Sequence, residues 1–350
     1  MEDKRAILLL DTFNILISQN SVANIIDENA NPTGMYLSTL NMIKIFVDKF
    51  KPIKVFVVLD GPNAGERRRK IYPNYKGKRK IIGRKSKITL VEGEEDDEMV
   101  DYEVEGAFES QLKKVYDFLK LLPVTICIVP YCEADDIITY ICKKNEDKYK
   151  CIIVSTDKDY LQLVNDNIEV YSWQKKKLYS KNEFIKEHNI LPENYIFKKI
   201  IRGDDSDEID GIKGIGVKTF DRIFSKILLE NKLNGMMDFL NEINSITLEE
   251  VAKKDHKHIN NIQTDETKKE LLKSFELMKL STEYLKIQYI EILRKQIEEQ
   301  KNKTFNILPV KMIMIKDSFN KIFGAYQASF KPENWLYPFK LVKNSVDITI

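Results

Sequence analysis

The chain has 350 residues, with 56 Lys and Arg against 54 Asp and Glu, and a formal net charge of +2. This length allows one large domain with an accessory domain, or two domains. No apolar run is long enough to span a bilayer, and the apolar run after the charged segment 1–5 is too short for a signal peptide, so a cytoplasmic protein is expected. The four cysteines are irregularly spaced without a CxxC pair, which predicts reduced thiols rather than a zinc site.

The first half of the chain alternates strand-like and helix-like segments. Strands are predicted at 6–10, 54–59, 124–129, 151–155 and 168–173, and helices at 35–50, 106–122, 133–144 and 158–164. An Asn-rich loop is expected after the first strand, and a polar insertion at 63–105. This alternation predicts an α/β fold with a parallel, twisted sheet flanked by helices, whose right-handed crossovers bring the strand ends to one edge.

After residue 180 the pattern becomes helical. Helices are predicted at 181–188, 192–202 and 217–229, with helical periodicity over 234–300 and another helix near 315–325. The charged stretch 297–304 reads as a linker, and the aromatic tail around Trp335, Tyr337 and Phe339 suggests no function. The expected domains are 1–185 (α/β), 186–300 (helical) and 301–350 (a C-terminal extension).

Carboxylates cluster just after hydrophobic runs. There are nine: Asp11, Asp60, Glu133, Asp135, Asp136, Asp157, Asp159, Asp204 and Asp207. At the edge of a parallel sheet they would converge. Two carboxylates about 4 Å apart repel by roughly 1 kcal/mol in water and about 4 kcal/mol at a protein-like dielectric, so cations are required. Oxygen-only ligands without histidine predict Mg²⁺ or Mn²⁺. The alternative is that the acids at 133–136 and Asp157 are helix caps.

A glycine-rich turn follows the last acids. The segment 203–207 leads into 211–216, where closely spaced glycines before a helix leave backbone N–H groups open to a phosphate. This pattern predicts a helix–hairpin–helix at 203–219 that holds a duplex backbone without reading sequence. The residues expected at that contact are Gly211, Lys213, Gly214, Gly216 and Lys218.

The segment 67–80 is basic, with interleaved tyrosines. Basic side chains contact phosphates and tyrosines stack on unpaired bases, so a nucleic-acid contact is predicted; a solvated basic loop is the alternative. The expected contact residues are Arg68, Tyr72, Tyr75 and Lys78. The acidic run 92–105 is interpreted as a solvated loop, or as a gate that repels duplex and admits a thin strand.

These segments together resemble the 5′ nucleases, that is, flap endonucleases and the 5′–3′ exonuclease domains of bacterial DNA polymerase I, with the phage ribonuclease H type nearest. The resemblance rests on LLLDTFN at 8–14, VVLDGPNAGERRRKIYPNYKGKR at 57–79, YCEADDIITYI at 131–141, IIVSTDKDYLQLV at 152–164 and IRGDDSDEIDGIKGIGVKT at 201–219. It covers roughly residues 6–230 and implies a PIN-like 5′ nuclease domain followed by a helical helix–hairpin–helix domain.

The resemblance implies a role for each matching residue. Asp11, Asp60, Glu133 and Asp135 would hold a first metal, supported through water by Asp136. Asp157, Asp159 and Asp207 would hold a second metal, with Asp204 close by. Lys76 falls on the family's catalytic lysine and Arg79 on the arginine that follows in the same helix. Residues 77–105 would form an arch over the active site, and K⁺ is a further expectation at the helix–hairpin–helix.

The chain departs from the family pattern at three positions. Thr12 and Thr156 stand where many members have glycine, which puts local loop geometry in question. Glu208 replaces a common asparagine and adds an acid beside the hairpin.

The expected activity is two-metal phosphodiester hydrolysis by a stand-alone, monomeric nuclease. Expected substrates are DNA with 5′ flaps, nicks or 5′ ends, or RNA–DNA hybrid, with a sliding clamp or single-strand-binding protein as partner. If the source is a phage, the host cytoplasm is the expected location. The alternatives are an inactive protein that binds branched DNA and an RNA-processing nuclease of the same fold.

Overall fold

The structure, a computed structural model, describes residues 4–19, 33–73, 75–76, 87–89, 101–103, 106–204, 207, 209–249, 251–317, 319 and 331–350. Its first part follows the predicted alternation. The elements are β1 (Ala6–Asp11), α1 (Thr12–Gln19), α2 (Gly34–Phe50), β2 (Lys54–Leu59), α3 (Glu66–Ile71), β3 (Lys87–Thr89), β4 (Asp101–Glu103), α4 (Gly106–Leu119), β5 (Thr125–Ile128), α5 (Ala134–Asn145) and β6 (Lys150–Val154).

The second part is mainly helical, as expected. A 3₁₀ helix (Lys158–Leu163) precedes β7 (Ile168–Ser172), β8 (Lys177–Tyr179), α6 (Lys181–His188), α7 (Tyr195–Arg202), β9 (Gly203–Asp204), β10 (Ile209–Asp210), α8 (Val217–Glu230), α9 (Met236–Ser245), α10 (His256–Ile262), α11 (Asp265–Met278), α12 (Ile287–Lys301), α13 (Ile307–Lys316) and α14 (Pro332–Leu336). No helix in the described ranges is long and apolar enough to cross a membrane.

The chain folds as two units. The first contains Met1–Ala64, Ile81–Thr156 and Thr282–Ile350, and the second contains Gly65–Lys80 and Asp157–Ser281. Residues 282–350 therefore belong to the unit that holds the first strands. These two units do not coincide with the predicted domains 1–185, 186–300 and 301–350. Those domain limits remain a prediction.

The first unit is built on four parallel strands in the order β5-β2-β1-β6. The side chains of Ile7–Leu10 are fully buried, as continuous apolar runs in a parallel sheet covered on both faces should be. Because the strands are parallel, their carboxyl ends share one edge. The predicted parallel sheet flanked by helices is confirmed.

Two elements differ from the expectation. Helix α1 begins at Thr12, where an Asn-rich loop was expected. Helix α12 continues to Lys301, into the supposed linker, because Leu293 and Ile297 give its charged sequence a buried face. The helix expected near 315–325 falls mostly on residues 318 and 320–325, which lie outside the described residues.

The C-terminal residues are part of the core of the first unit. The Trp335 ring packs edge-on against Phe118, with centroids 5.9 Å apart, and Phe339 is fully buried. The tail also hydrogen-bonds to the first unit: Lys54 Nζ donates to the Asn344 carbonyl (2.7 Å), and Asn145 Nδ2 donates to the Thr349 carbonyl (2.9 Å). Burial lowers the pKa of Lys54 to about 8. The C-terminal extension, for which the sequence suggested no role, thus stabilises the first unit.

Two glutamine side chains of α12 pair with the edge strand β5. Gln300 accepts from the Ile126 N–H (2.9 Å) and donates to the Ile126 carbonyl (2.8 Å). Gln296 does the same with Ile128, at 3.0 and 2.6 Å. Each amide makes the two bonds that a neighbouring strand would make, so the edge is not open to pairing with another chain.

We expect the double variant Gln296→Ala, Gln300→Ala to be less stable and to self-associate, because it leaves the N–H and carbonyl groups of two edge residues unpaired. Each unsatisfied buried group costs about 1–3 kcal/mol. Urea denaturation and size-exclusion chromatography with light scattering would measure both effects. Glu299→Ala, on the exposed face of the same helix, is the control; a double variant as stable and as monomeric as this control would contradict the edge-pairing role.

In the second unit a partly buried histidine, His188, lies among aromatic rings. The His188 ring centroid lies 4.5 Å from that of Phe184 and 5.2 Å from that of Tyr195. Burial lowers the pKa of His188 to about 4, helped by Lys198, Lys175 and Lys177 and opposed by Glu187. The imidazole is therefore neutral in the folded protein at neutral pH.

This pKa predicts acid sensitivity. The folded pKa of about 4 lies below the ordinary 6.5, so the unfolded chain binds more protons between these values. Stability should therefore fall as the pH drops from 6.5 to 4, by roughly 3 kcal/mol at 1.36 kcal/mol per pKa unit. His188→Phe should flatten this slope in denaturation curves taken across that range, whereas His256→Phe should keep it; equal slopes in both variants would refute the assignment.

Candidate metal and nucleic-acid sites

The first unit carries five of the predicted carboxylates at one edge of its sheet: Asp11 ends β1, Asp60 follows β2, and the other three begin α5. In the sheet register Asp11 lies beside Val58, two residues before Asp60. Carboxylate oxygens of Glu133, Asp135 and Asp136 lie within 4.8 Å of one another. We call these five residues the first carboxylate group.

Backbone and hydroxyl donors hold this group in place. Asp60 accepts a hydrogen bond from the Ala134 N–H at the start of α5 (2.7 Å), which ties β2 to that helix. Asp11 accepts from the Ser155 hydroxyl (2.9 Å). Buried acids held by neutral donors and a helix N-terminus are stabilised as anions.

The alternative that the acids are helix caps is partly right. Glu133 is the N-cap of α5 and forms a capping box with Asp136, whose carboxylate accepts from the Glu133 N–H (3.3 Å). Asp135 takes no part in that box. Capping therefore accounts for two of the three acids, and their mutual repulsion still calls for a cation. An oxygen-only donor set of this kind fits Mg²⁺ or Mn²⁺.

Gly61 explains how Asp60 reaches α5. A Cβ at this position would lie 1.7 Å from the Val129 carbonyl oxygen, and the Gly61 N–H donates to the Cys132 carbonyl (2.9 Å). Only glycine allows this approach between the end of β2 and the β5–α5 connection. The sequence Asp60-Gly61-Pro62 is typical of a turn but does not reveal this contact.

The two threonine departures are accommodated in the first unit. The Thr12 hydroxyl donates to the Leu10 carbonyl (3.1 Å). The Asn14 side-chain oxygen accepts from the Thr156 N–H (3.0 Å) and hydroxyl (2.7 Å), linking the ends of β1 and β6. Sequence reasoning missed Asn14, although it stands three residues after Asp11 in a segment that carried the resemblance.

The second unit carries the other four acids, which we call the second carboxylate group: Asp157, Asp159, Asp204 and Asp207. Asp157 is the N-cap of the 3₁₀ helix and accepts from the Asp159 N–H (2.9 Å). Asp159 and Asp207 are buried. The Asp207 N–H donates to the Asp204 carbonyl (3.3 Å), so a tight turn fixes these two residues.

A lysine that the sequence did not single out lies in this group. The ammonium of Lys199, on α7, contacts carboxylate oxygens of both Asp159 and Asp204, the latter at 2.7 Å. Lys199 is only 8% exposed. The sequence signal that could have indicated this contact is a lysine in the predicted helix 192–202, which directly precedes Asp204.

Two glycines close the turn that presents Asp204. Gly203 has φ +75, and a Cβ there would lie 2.4 Å from the Gly211 nitrogen. A Cβ on Gly211 would lie 2.2 Å from the Arg202 carbonyl carbon. Gly211, predicted to contact nucleic acid, thus has a packing role that the sequence did not reveal.

The predicted helix–hairpin–helix is present as α7, the β9–β10 turn and α8. Gly214 has φ +88, and Gly216 is the N-cap residue of α8. Lys213, Gly214, Gly216 and Lys218 are all exposed. No side chain among the described residues caps the start of α8, which suits a helix N-terminus that binds an anion.

Two residues of the basic segment that were predicted to contact nucleic acid are buried. Arg68 Nε donates to the Leu277 carbonyl near the end of α11 (3.1 Å). Tyr75 is 4% exposed. Their contact with nucleic acid remains a prediction. Tyr72 is half-buried beneath Lys273, whose ammonium lies 4.9 Å from the ring centroid.

Lys76 lies in a turn with φ +56, not in a helix as the resemblance implied. Its ammonium lies 4.8 Å from the centroid of the Tyr75 ring. Lys78 and Arg79 lie outside the described residues, as do most of the arch segment 77–105 and Glu208.

Comparison with known proteins agrees with this architecture. Residues 6–189 match the family described as "5′-3′ exonuclease, N-terminal resolvase-like domain". A 5′-3′ exonuclease of Aquifex aeolicus is 30% identical over 213 residues, which cover 60% of this chain and 66% of that protein. A 5′-3′ exonuclease of Buchnera aphidicola subsp. Acyrthosiphon pisum is 25% identical over 282 residues, which cover 80% of this chain and 87% of that protein.

Solved structures share the fold. The T5 D15 protein, co-crystallized with metal ions, has a TM-score of 0.60 at 20% identity and covers 85% of this chain and 98% of its own. The bacteriophage T5 D15 flap endonuclease in a complex with DNA and metal ions has a TM-score of 0.61 at 19% identity, covering 85% of this chain and 100% of its own. Sequence and fold together place the chain in the 5′–3′ exonuclease family of nucleases.

Proposed function

We propose that this protein is a structure-specific 5′ nuclease that hydrolyses phosphodiesters with divalent metal ions, Mg²⁺ or Mn²⁺. The observation that carries the proposal is the set of three carboxylates within 4.8 Å at the start of α5, together with Asp60 bonded to the same helix. Membership of the 5′–3′ exonuclease family supports it.

Different residues of the chain would bind the metal ions, the reacting phosphate and the duplex. The first carboxylate group, and Asp157, Asp159 and Asp207 of the second group, would hold metal ions. Bound divalent ions activate water and stabilise the attacking and leaving oxygens of an in-line displacement. Lys76 and Arg79 would offset charge that develops on the phosphate. The exposed hairpin, Lys213–Lys218, would hold the duplex backbone.

The proposed substrates are DNA duplexes with a 5′ flap, a nick or a free 5′ end. The exposed glycine turn before α8 supports a duplex ligand. RNA–DNA hybrid is a second candidate substrate, because contacts to the phosphate backbone do not read the bases. Comparing flap DNA with hybrid would separate them. A replication-protein partner, K⁺ at the hairpin and a monomeric state remain predictions.

Asp157→Asn tests the metal role separately from capping. Asparagine keeps a side-chain oxygen that can accept from the Asp159 N–H, so the helix cap survives while the charge is lost. We expect cleavage of a labelled 5′-flap duplex in Mg²⁺ to fall by about 100-fold or more, with DNA binding in EDTA retained. The matched control is Asp166→Asn, in the same unit and paired with Lys181. Full activity in a pure Asp157→Asn preparation would reject the metal assignment.

A pair of glycine variants tests the hairpin. Gly214→Ala should destabilise the protein by about 1–3 kcal/mol, because φ +88 suits glycine and the new Cβ would lie 2.8 Å from the His258 ring. Gly216→Ala should leave thermal stability unchanged, since its Cβ meets nothing within 4 Å.

DNA binding then separates the two effects. If Gly216 lies against a phosphate, Gly216→Ala should weaken anisotropy-measured duplex binding at unchanged melting temperature. Unchanged affinity in this variant would remove Gly216 from the DNA contact. A Gly214→Ala variant as stable as the wild type would mean that His258 does not confine the hairpin.

A further inference from the structure

The second carboxylate group contains a cation of its own. The ammonium of Lys199 contacts Asp159, in the 3₁₀ helix, and Asp204, in β9, at the same time. Its neighbour Lys198 points elsewhere, toward Asp221 of α8 at 3.9 Å. Lys199 therefore occupies the place between two carboxylates where a bridging cation would be expected.

The backbone around Lys199 fixes this arrangement. Residues 195–201 of α7 are all buried, so the Lys199 side chain extends from a packed helix. The Ile212 N–H donates to the Ile201 carbonyl (2.8 Å), and the close approach of Gly203 and Gly211 holds the turn that carries Asp204. An ammonium this deeply buried is stable only if it stays paired.

We propose that Lys199 is a resident counter-ion of the second carboxylate group, which keeps Asp159 and Asp204 together before a metal arrives and competes with the metal for their oxygens. This inference rests on the proposed function, in which Asp159 binds metal. A metal ion and the Lys199 ammonium cannot both bind the same carboxylate oxygens with full strength. Metal binding therefore displaces Lys199 from at least one of the two acids.

The competition has two consequences. Lys199 partly neutralises the charge of Asp159 and Asp204. In the absence of nucleic acid the second group should therefore bind a divalent ion more weakly than it would without this ammonium, and the protein should keep its fold when metal is removed.

The test is a titration of Mn²⁺ into the protein without DNA, with free Mn²⁺ counted by electron paramagnetic resonance. Lys199→Met removes the charge and keeps the length of the side chain; Lys198→Met is the matched control. We expect the more weakly bound Mn²⁺ ion to bind Lys199→Met about tenfold more tightly than it binds the wild type, because a competing charge is gone. It should also melt at a lower temperature in EDTA. Lys198→Met should bind Mn²⁺ like the wild type.

Equal or weaker Mn²⁺ binding by folded Lys199→Met would overturn the inference. If that variant does not fold, wild-type protein labelled with ¹³C and ¹⁵N in lysine decides, with the Lys199 signal assigned from Lys199→Arg. Adding Mg²⁺ should shift the Lys199 signal and leave that of Lys198 in place; an unmoved Lys199 signal at saturation would reject displacement. If Asp159→Asn binds as many Mn²⁺ ions as the wild type, with unchanged affinity, the proposed metal role of Asp159 fails and the inference with it.

Discussion

Carboxylates that lie close together at one edge of a sheet repel one another, and several local features of this protein offset that repulsion. A parallel sheet brings its strand ends to one edge, and in the first unit acids follow those ends. Such acids can remain ionised in a partly buried place only if donors or cations face them. Local features otherwise hard to explain, including the capping box at Glu133 and the Ser155–Asp11 bond, supply these donors.

Glycines allow the close backbone approaches that bring these acids into place. Gly61 lets the chain leaving β2 touch the β5–α5 connection, which places Asp60 on the N-terminus of α5. Gly203 and Gly211 allow backbone to pack on backbone, which fixes the turn that presents Asp204. At each of these positions a side chain would collide with backbone atoms, which cannot move aside as a side chain can. Within each unit, the glycines therefore determine where an acid lies.

The sequence predicted the parallel sheet, most limits of the helices and strands, and a helix that begins at the acids 133–136. It could do so because buried runs and turn residues are local signals. It could not predict contacts made by distant residues. Arg68, which is expected to contact a phosphate, donates a hydrogen bond near the end of α11, some two hundred residues along the chain. Gln296 and Gln300 carried no sequence signal, yet their side chains pair with the edge of β5. Local charge does not reveal whether a side chain will be buried by a partner far away in sequence.

The two carboxylate groups meet the same electrostatic demand differently. In the first group, the Ala134 N–H and the Ser155 hydroxyl donate to Asp60 and Asp11. In the second group the Lys199 ammonium, on a buried helix, supplies a positive charge to Asp159 and Asp204. A neutral donor lowers the energy of a carboxylate without competing for a cation, whereas an ammonium does both. An ammonium placed between two acids by α7 therefore ties the proposed metal affinity of the second group to the helix that leads into the hairpin.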